Sequence, residues 1–300
     1  MSWEIYRLVY KVKSPVCIGF HKLGFIQRTR PYILGRNIWG AFTAELTRFM
    51  GNNRYEVIGE RLKEYFRFMP FFPAIDPDSP FLPVYAPRHG LLYRNGINTD
   101  LKESQFERLF INAYGRTAVS PDYLAAEEGS LFETEFINPH VMTEDGLRQV
   151  YFIGYLFKKK ESEHDESNQS LFYRALERIA VGGERKYGFG QLERISLDKE
   201  QTNVFGNRPN LHNSNGPEFN MVQGAHLFMH LYHLYNENQP INLYGDIEPV
   251  VGLEYSSGAG FGQQISKANV CWMPGAEIKE ESGLKIILGK EPLSIAIFKE

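Results

Sequence analysis

The chain has 300 residues, enough for two domains or one large one, and 43% of them are hydrophobic, which is ample for a sizeable core. The net charge of −3 argues against a free-standing, non-specific nucleic-acid binder. The sequence has no apolar run long enough for a membrane span, and its first residues lack the apolar core of a signal peptide. Two distant cysteines, Cys17 and Cys271, argue against a disulfide framework, so we expect a cytoplasmic protein without membrane contact.

Charge is unevenly distributed along the chain. Residues 1–67 contain 12 Lys or Arg and 5 Asp or Glu, whereas the remaining residues contain 21 and 31. A basic first part joined to an acidic remainder predicts one surface that faces a polyanion and another that faces protein. Chance clustering is the alternative interpretation.

The first predicted elements are a strand, a loop and two helices. The alternation of side chains predicts a strand over Glu4–Ile18, whose pattern ends at Pro15. Glycines and basic residues predict a loop over Gly19–Arg30. Apolar residues at a spacing of three to four predict helices over Gly35–Phe49 and Tyr55–Phe68.

Residues 50–130 are predicted to be a long insertion between core elements. Its six prolines make Met69–Pro87 irregular in sequence. Asp76 and Asp78 are candidate metal ligands by residue type, but Pro77 between them favours a turn.

The elements after the insertion complete a recognisable order. Aromatic-rich strands are predicted over Ser130–Asn138 and Arg148–Phe157, followed by a mobile polar tip over Lys158–Ser170. A helical face over Leu171–Ile179 and a strand over Phe189–Ile195 come next. The resulting order is strand, helix, insertion, strand, strand, helix, strand, which is the ferredoxin-like (RRM-like) βαββαβ order of an α+β fold.

The composition divides the chain into two domains. Residues 1–197 are predicted to form the ferredoxin-like domain, residues 198–220 an Asn-rich linker, and residues 221–300 a second β-rich domain. Strands in the second domain are predicted over Val222–Tyr235, Asp246–Glu254, Ser266–Met273, Leu284–Leu288 and Ser294–Phe298. The run Gly258–Gly262 begins no helix and has no Walker lysine, which excludes a dinucleotide or phosphate loop.

The run Val181–Gly190, called the glycine loop below, is the most informative motif. Its glycines are Gly182, Gly183, Gly188 and Gly190. Glycine lets backbone N–H groups approach a ligand closely, Arg185 and Lys186 supply positive charge, and Tyr187 supplies a flat surface. These are the parts that hold a phosphodiester backbone and stack a base. The alternative is a helix C-cap followed by a turn.

Other candidate RNA contacts lie in basic loops. The cations are Arg28, Arg30, Arg36, Arg88 and Arg116. Tyr32 is a candidate for base stacking, and the start of the following helix adds its positive end. Ordinary solvated loops are the alternative for every one of them.

Histidines offer weaker signals for chemistry. His21 beside Lys22, or His89, could cleave RNA without a metal, because His can take the 2′-hydroxyl proton and Lys can stabilise the developing charge. His226, His230 and His233 would share one face of a helix, but the region is predicted to be a strand, where His233 points the other way. We therefore expect no metal site and no cofactor.

Several of these segments resemble the RAMP superfamily of CRISPR-associated RNA-binding proteins. The likeness is carried by the glycine loop, by Leu34–Phe42, by Arg116 followed by Glu128–Glu133, and by Val270–Ala276. The mid-chain position of the glycine loop is similar to that in the Cas-five-like group, which caps the 5′ end of the guide RNA. In the repeat-cleaving group the glycine loop lies near the C-terminus.

The resemblance implies a non-catalytic RNA-binding subunit of a type III CRISPR effector complex that acts in antiviral defence. It implies that Arg185, Lys186 and the glycines hold the 5′ tag of the guide RNA. The implied partners are the guide RNA, the large subunit and the backbone RAMP subunits. The alternatives are a metal-free endoribonuclease that processes repeat RNA, a metal-assisted nuclease, and a scaffold without RNA contact.

Overall fold

The computed structural model describes residues 2–96, 99–160, 166–200, 202–232, 241–256, 258, 260–291 and 293–299. Its helices are α1 Gly35–Phe49, α2 Tyr55–Tyr65, α3 Glu103–Phe110 and α4 Glu166–Ala175. Within these ranges no helix combines the length and the apolar character that a membrane crossing requires.

Strands dominate the structure. Up to residue 160 they are β1 Trp3–Val12, β2 Gly19–Leu23, β3 Ile26–Thr29, β4 Phe66–Phe68, β5 Phe72–Asp76, β6 Ser79–Pro80, β7 Leu82–Ala86, β8 Gly90–Asn95, β9 Thr99–Lys102, β10 Ile111–Arg116, β11 Phe132–Ile137, β12 His140–Thr143, β13 Gly146–Gln149 and β14 Tyr151–Lys159. After it they are β15 Arg178–Ala180, β16 Gln191–Glu200, β17 Pro209–Asn210, β18 Glu218–Met221, β19 Leu231–Tyr232, β20 Leu243–Tyr244, β21 Ile247–Val250, β22 Leu253–Ser256, β23 Gly260–Ile265, β24 Asn269–Trp272, β25 Glu277–Ile278, β26 Leu284–Ile287 and β27 Ile297–Phe298.

The central sheet has the order β15–β16–β1–β14–β5–β6, with β4 also paired to β14, and its neighbouring strands are antiparallel. Because α1 follows β1 and α4 follows β14, the connectivity agrees with the predicted ferredoxin-like order. Apolar residues on both faces explain the central place of β1. Tyr10 packs among residues of the helices, and Ile5 packs on the opposite face.

The second core strand is not the predicted one. The structure places β4 and β5 beside β14, within the segment 50–130 that the sequence indicates as an insertion. The predicted strand Ser130–Asn138 is instead β11, in a separate sheet of order β10–β11–β3–β2. The prolines of this segment are typical of a loop, and Pro70 does lie in the break between β4 and β5. Phe68 and Phe72 on either side of the break are fully buried, and they hold both strands in the core.

Three local predictions also differ from the structure. Gly19–Arg30, predicted as a loop, forms the β2–β3 hairpin, whose mostly exposed side chains hide the alternation of a strand. The helix predicted over Tyr55–Phe68 ends at Tyr65, and β4 begins at the next residue, Phe66. Helix α4 begins within the predicted polar tip, and residues 161–165 of that tip lie outside the described residues.

Small antiparallel sheets make up the C-terminal part. They have the orders β17–β18–β26–β27, β19–β24–β21, β20–β25 and β22–β23. The predicted strand Val222–Tyr235 is a strand at Leu231–Tyr232, is turn or irregular over most of 222–230, and lies outside the described residues from position 233. The predicted linker 198–220 contains the end of β16, all of β17 and the start of β18.

The central sheet is buried on both faces. Helices α1 and α4 cover one face, where Phe42 contacts the ring of Phe172. The C-terminal sheets cover the other, where Phe157 packs against Phe219 and the indole N–H of Trp3 donates to the carbonyl oxygen of Asn213 at 2.9 Å. Burying each large side chain contributes roughly 1.5–3 kcal/mol. The sheet is therefore a rigid support for the loops at its ends.

Candidate nucleic-acid interface

The glycine loop is fastened by its backbone to the segment that follows β1. The amide of Gly183 donates to the carbonyl oxygen of Cys17 at 2.9 Å, and the amide of Gly190 donates to that of Pro15 at 2.7 Å. Gly182 and Gly190 have φ angles of 74° and 82°, and a Cβ on either would collide with a backbone carbonyl oxygen. Only glycine fits these two positions, so both ends of the loop are held firmly.

The outer part of the glycine loop presents cations and an aromatic ring to solvent. Arg185–Tyr187 form one 3-10 turn between two left-handed residues, Glu184 and Gly188. Arg185 and Lys186 are exposed, and no carboxylate among the described residues forms an ion pair with either. Tyr187 is 69% exposed. The turn therefore offers two uncompensated positive charges beside an accessible ring.

Arg116 attaches the glycine loop to the hairpin of β10 and β11. Its guanidinium lies 4.5 Å from the ring centre of Tyr187 and 4.7 Å from that of Phe132. The same group donates to the Glu184 carboxylate and to Thr134 Oγ1. The structure thus gives Arg116, predicted to contact RNA, a largely buried place where it supports Tyr187.

Tyr114, Phe132 and Glu184 also belong to this site, although the sequence predicts no contact role for them. Tyr114 lies two residues before Arg116 on β10, and Phe132 is directly opposite Arg116 on β11. Side chains two apart on a strand share a face, and so do side chains directly opposite each other on paired strands. Tyr114 and Phe132 therefore lie on the same face of the hairpin as Arg116. The spacing between Tyr114 and Arg116 is the signal in the sequence that could have identified the first of them. Glu184 carries no such signal, because its left-handed backbone belongs to a turn whose shape the sequence does not define.

Arg30 and Tyr32, predicted to contact RNA, are buried instead. They are 5% and 1% exposed, and both bind the carboxylate of Glu248, Arg30 at 2.6 Å and the Tyr32 hydroxyl at 2.9 Å. His230 completes this buried cluster at 2.7 Å from the same carboxylate. Burial alone would raise the pKa of Glu248, but the hydrogen bonds and charges of His230 and Arg30 outweigh it and lower that pKa to about 2. In this structure Arg30 and Tyr32 therefore bind protein groups, and their contacts with RNA stay predictions.

Arg28 and Arg36 also have protein partners. Arg28 is paired with Glu107 at 2.7 Å and with Glu135 at 3.1 Å. Arg36 donates to Glu254 at 3.0 Å and to the Ser266 hydroxyl at 2.9 Å. Burial lowers the pKa of the Arg36 guanidinium, and Glu254 counteracts this effect. Both side chains join distant segments of the chain, which leaves less of their charge for a phosphate.

The other predicted candidates lie on exposed turns and edges. Arg88 and His89 lie in the turn between β7 and β8, and His21 and Lys22 lie on β2, where the imidazole packs edge-on against Phe20 at 4.2 Å. Among the described residues no hydrogen bond, ion pair or ring contact joins His21 to His89 or links either of them to the glycine loop. Arg88 therefore stays a separate candidate for an RNA contact, and His21, Lys22 and His89 stay the candidates for cleavage.

The two described histidines of the candidate metal set, His226 and His230, are bound to protein groups. His226 is hydrogen-bonded to the carbonyl oxygen of Tyr85 at 3.2 Å, and burial lowers its pKa. His230 is bound to Glu248, and His233 lies outside the described residues. Within the described ranges no group of three or more His, Cys, Asp or Glu side chains has a metal-binding arrangement.

Comparisons with known proteins give one family and a set of distant structural neighbours. The model of the RAMP superfamily matches residues 9–193. The fold is similar to a chain in a cryo-EM structure of type III-B Cmr-beta bound to cognate target RNA and AMPPnP, with 9% identity, a TM-score of 0.53 and coverage of 91% of this chain and 86% of that one. It also resembles a chain in a crystal structure of the Csm3–Csm4 subcomplex of the type III-A CRISPR–Cas interference complex, with 12% identity, a TM-score of 0.47 and coverage of 95% and 94%.

A comparison with curated proteins gives no match. The superfamily match nevertheless spans most of the central sheet, from β1 into β16, and includes the whole glycine loop. Because it covers more than half of the chain, the protein belongs to the RAMP superfamily.

Proposed function

We propose that the protein is a non-catalytic RNA-binding subunit of a CRISPR effector complex, and that the glycine loop holds the 5′ tag of the guide RNA. The observation that carries the proposal is the exposed Arg185–Tyr187 turn, with two uncompensated cations on a firmly anchored loop. A loop that only turned the chain would have no need for this arrangement.

The chemistry of the turn fits a single-stranded backbone. Arg185 and Lys186 supply positive charge for phosphates. Each phosphate contact with a single strand steepens the slope of log K, the logarithm of the binding constant, against log salt concentration by about 0.7. Tyr187 offers a ring on which an unstacked base can lie, and such stacking contributes roughly 1–3 kcal/mol. Because Arg116 and the anchored glycines hold the ring in place, little side-chain entropy is lost when a base binds.

Assembly with other subunits explains the acidic remainder of the chain. An isolated RNA binder is normally basic, whereas a subunit needs only a local basic site and can bind protein elsewhere. The distant structural neighbours come from type III assemblies, and one of them contains target RNA. We propose the guide RNA, the large subunit and the backbone RAMP subunits as partners, in a type III complex in the cytoplasm that serves antiviral defence.

We propose binding rather than cleavage because, among the described residues, no hydrogen bond, ion pair or ring contact links His21 or His89 to the glycine loop. His21→Ala and His89→Ala are expected to leave the length of the bound RNA unchanged. The measurement is gel analysis of RNA that copurifies with each variant. Accumulation of uncut repeat RNA in either variant would favour the endoribonuclease instead.

The test of the binding role is to tag the chain in its host, purify it gently and sequence the copurified RNA. The proposal expects short RNAs that share one repeat-derived 5′ end. Arg185→Ala with Lys186→Ala should release this RNA at lower salt. The matched control is Arg208→Ala with Lys285→Ala, which removes two exposed cations from the C-terminal part. Equal RNA retention in the two double variants would refute the role of the loop.

A further inference from the structure

Glu184 is the only acidic residue of the glycine loop, and it occupies a backbone position that does not suit it. Its φ angle is 56°, in the left-handed region that a residue with a Cβ rarely adopts. The other left-handed positions of the loop, 182, 188 and 190, are all glycine. Glycine would adopt this conformation at position 184 without strain, which points to a use for the carboxylate itself.

The Glu184 carboxylate compensates the charge of Arg116. The Arg116 guanidinium donates to this carboxylate and to Thr134 Oγ1, and its Nε atom is buried with no hydrogen-bond partner among the described residues. The side chains of Arg116 and Glu184 are 15% and 28% exposed, so most of the ion pair is shielded from water. Because charges attract more strongly where water is excluded, the carboxylate cancels much of the charge that Arg116 would otherwise present to a ligand.

This ion pair divides the cations of the site into two kinds. Arg185 and Lys186 are exposed on the turn, whereas Arg116 lies against the ring of Tyr187 with its charge compensated. Phosphates occur in every nucleic acid, but only an unpaired base can lie on an exposed ring, because the bases of a duplex are already stacked on each other. The balance between free charge and stacking surface therefore sets how well the site separates a single strand from any other polyanion.

We propose that Glu184 is a selectivity residue of the RNA site. By withholding the charge of Arg116 from phosphates, it makes the glycine loop prefer an unpaired base over an arbitrary polyanion. The inference rests on the proposed function, since it takes the exposed turn as the place where RNA binds. Glu184 acts through Arg116 and is therefore a positioning residue.

The test is the salt dependence of binding by the full-length protein. The ligands are a fluorescent single-stranded RNA with the 5′ sequence of the copurified RNA and a duplex DNA of unrelated sequence. Glu184→Gln keeps the shape of the side chain and removes its charge, so Arg116 can contact one more phosphate. For the duplex this steepens the slope of log K against log salt concentration by about 0.9, which amounts to roughly fifteenfold tighter binding at 50 mM than at 1 M salt, relative to the wild type.

The single strand is expected to gain less from this substitution than the duplex. An Arg116 side chain that reaches a phosphate no longer supports the ring of Tyr187, so part of the stacking is lost. The preference for the single strand over the duplex at 50 mM salt should therefore fall at least about threefold. An unchanged preference would overturn the proposal.

The matched control is Glu4→Gln, which removes the same charge from an ion pair with Lys199. Glu4 lies near the start of β1, and the strand extends roughly 25 Å from it to Val12, beyond which the glycine loop is fastened. This control should leave both slopes at their wild-type values. If Glu184→Gln steepens the duplex slope no more than Glu4→Gln does, the selectivity role is refuted.

Two further variants separate the possible failures. Arg116→Gln added to Glu184→Gln should return the duplex slope to the wild-type value, and a slope that stays steep would refute the role of Arg116. A merely structural ion pair would lower the melting temperature and weaken binding of both ligands without steepening either slope, which also contradicts the proposal. If Arg185→Ala with Lys186→Ala binds the single strand as the wild type does, the proposed function fails as well. If this double variant loses binding while Glu184→Gln keeps the wild-type slope, the selectivity role fails alone.

Discussion

Replacing Glu248 with Gln removes the negative charge that Arg30 and His230 face inside the protein. The carboxylate is 2% exposed, and its pKa is lowered from 4.5 to about 2 by these partners. Because one pKa unit corresponds to about 1.4 kcal/mol, the charged form is favoured by about 3 kcal/mol in the folded state. Breaking a buried ion pair costs a similar ~3–5 kcal/mol, because it leaves the other charge uncompensated. We therefore expect Glu248→Gln to lower the free energy of unfolding by about 3 kcal/mol.

Urea denaturation followed by circular dichroism measures this change. The control is Asp100→Asn, which removes the partner of Arg94 in an exposed ion pair and should cost less than about 1 kcal/mol. If the two variants lose equal stability, the buried cluster does not join the segment after β3 to the C-terminal sheets in the way the structure indicates.

Three further predictions concern the same fold. The Glu248 carboxylate stabilises the protein above its unfolded pKa near 4.5, and this stabilisation is lost as the pH falls towards 2. Between pH 5 and pH 3 the free energy of unfolding should therefore fall by about 2 kcal/mol more in the wild type than in Glu248→Gln. Urea titrations at the two pH values measure this difference. Gly182→Ala should lower the melting temperature more than Gly188→Ala. Both glycines have a positive φ angle, but only a Cβ at position 182 would collide with a carbonyl oxygen, that of Cys17. Equal losses of thermal stability would count against the anchored loop. Trp3→Ala should cost about 3–5 kcal/mol, against less than about 1 for exposed Val57→Ala, in the same denaturation assay.

The parts that could be predicted from the sequence are those with local patterns. The alternation in β1 and the helical spacing of α1 indicate both elements directly, and the glycine loop was located by its composition. The second core strand was missed because Pro70 and Pro73 resemble loop residues, although Pro73 lies within β5, paired with Phe152 on β14. A proline is acceptable there because short β6 is the only strand on the outer side of β5 in the described sheet.

The partners of the arginines could not be predicted from the sequence. Arg28 meets Glu135 across 107 positions, and Arg30 meets Glu248 across 218. A charged loop has the same composition whether its cations face solvent or distant carboxylates, so only the folded chain separates the two cases. Arg185 and Lys186, by contrast, lie exposed on the 3-10 turn of the glycine loop.

Ultraviolet crosslinking of the purified native complex, followed by mass spectrometry of peptide–nucleotide adducts, tests the central claim most directly. We predict an adduct between Tyr187 and one of the first nucleotides at the 5′ end of the guide RNA. Adducts confined to other peptides, or a Tyr187 adduct to an internal guide nucleotide, would contradict the placement of the 5′ tag on the glycine loop.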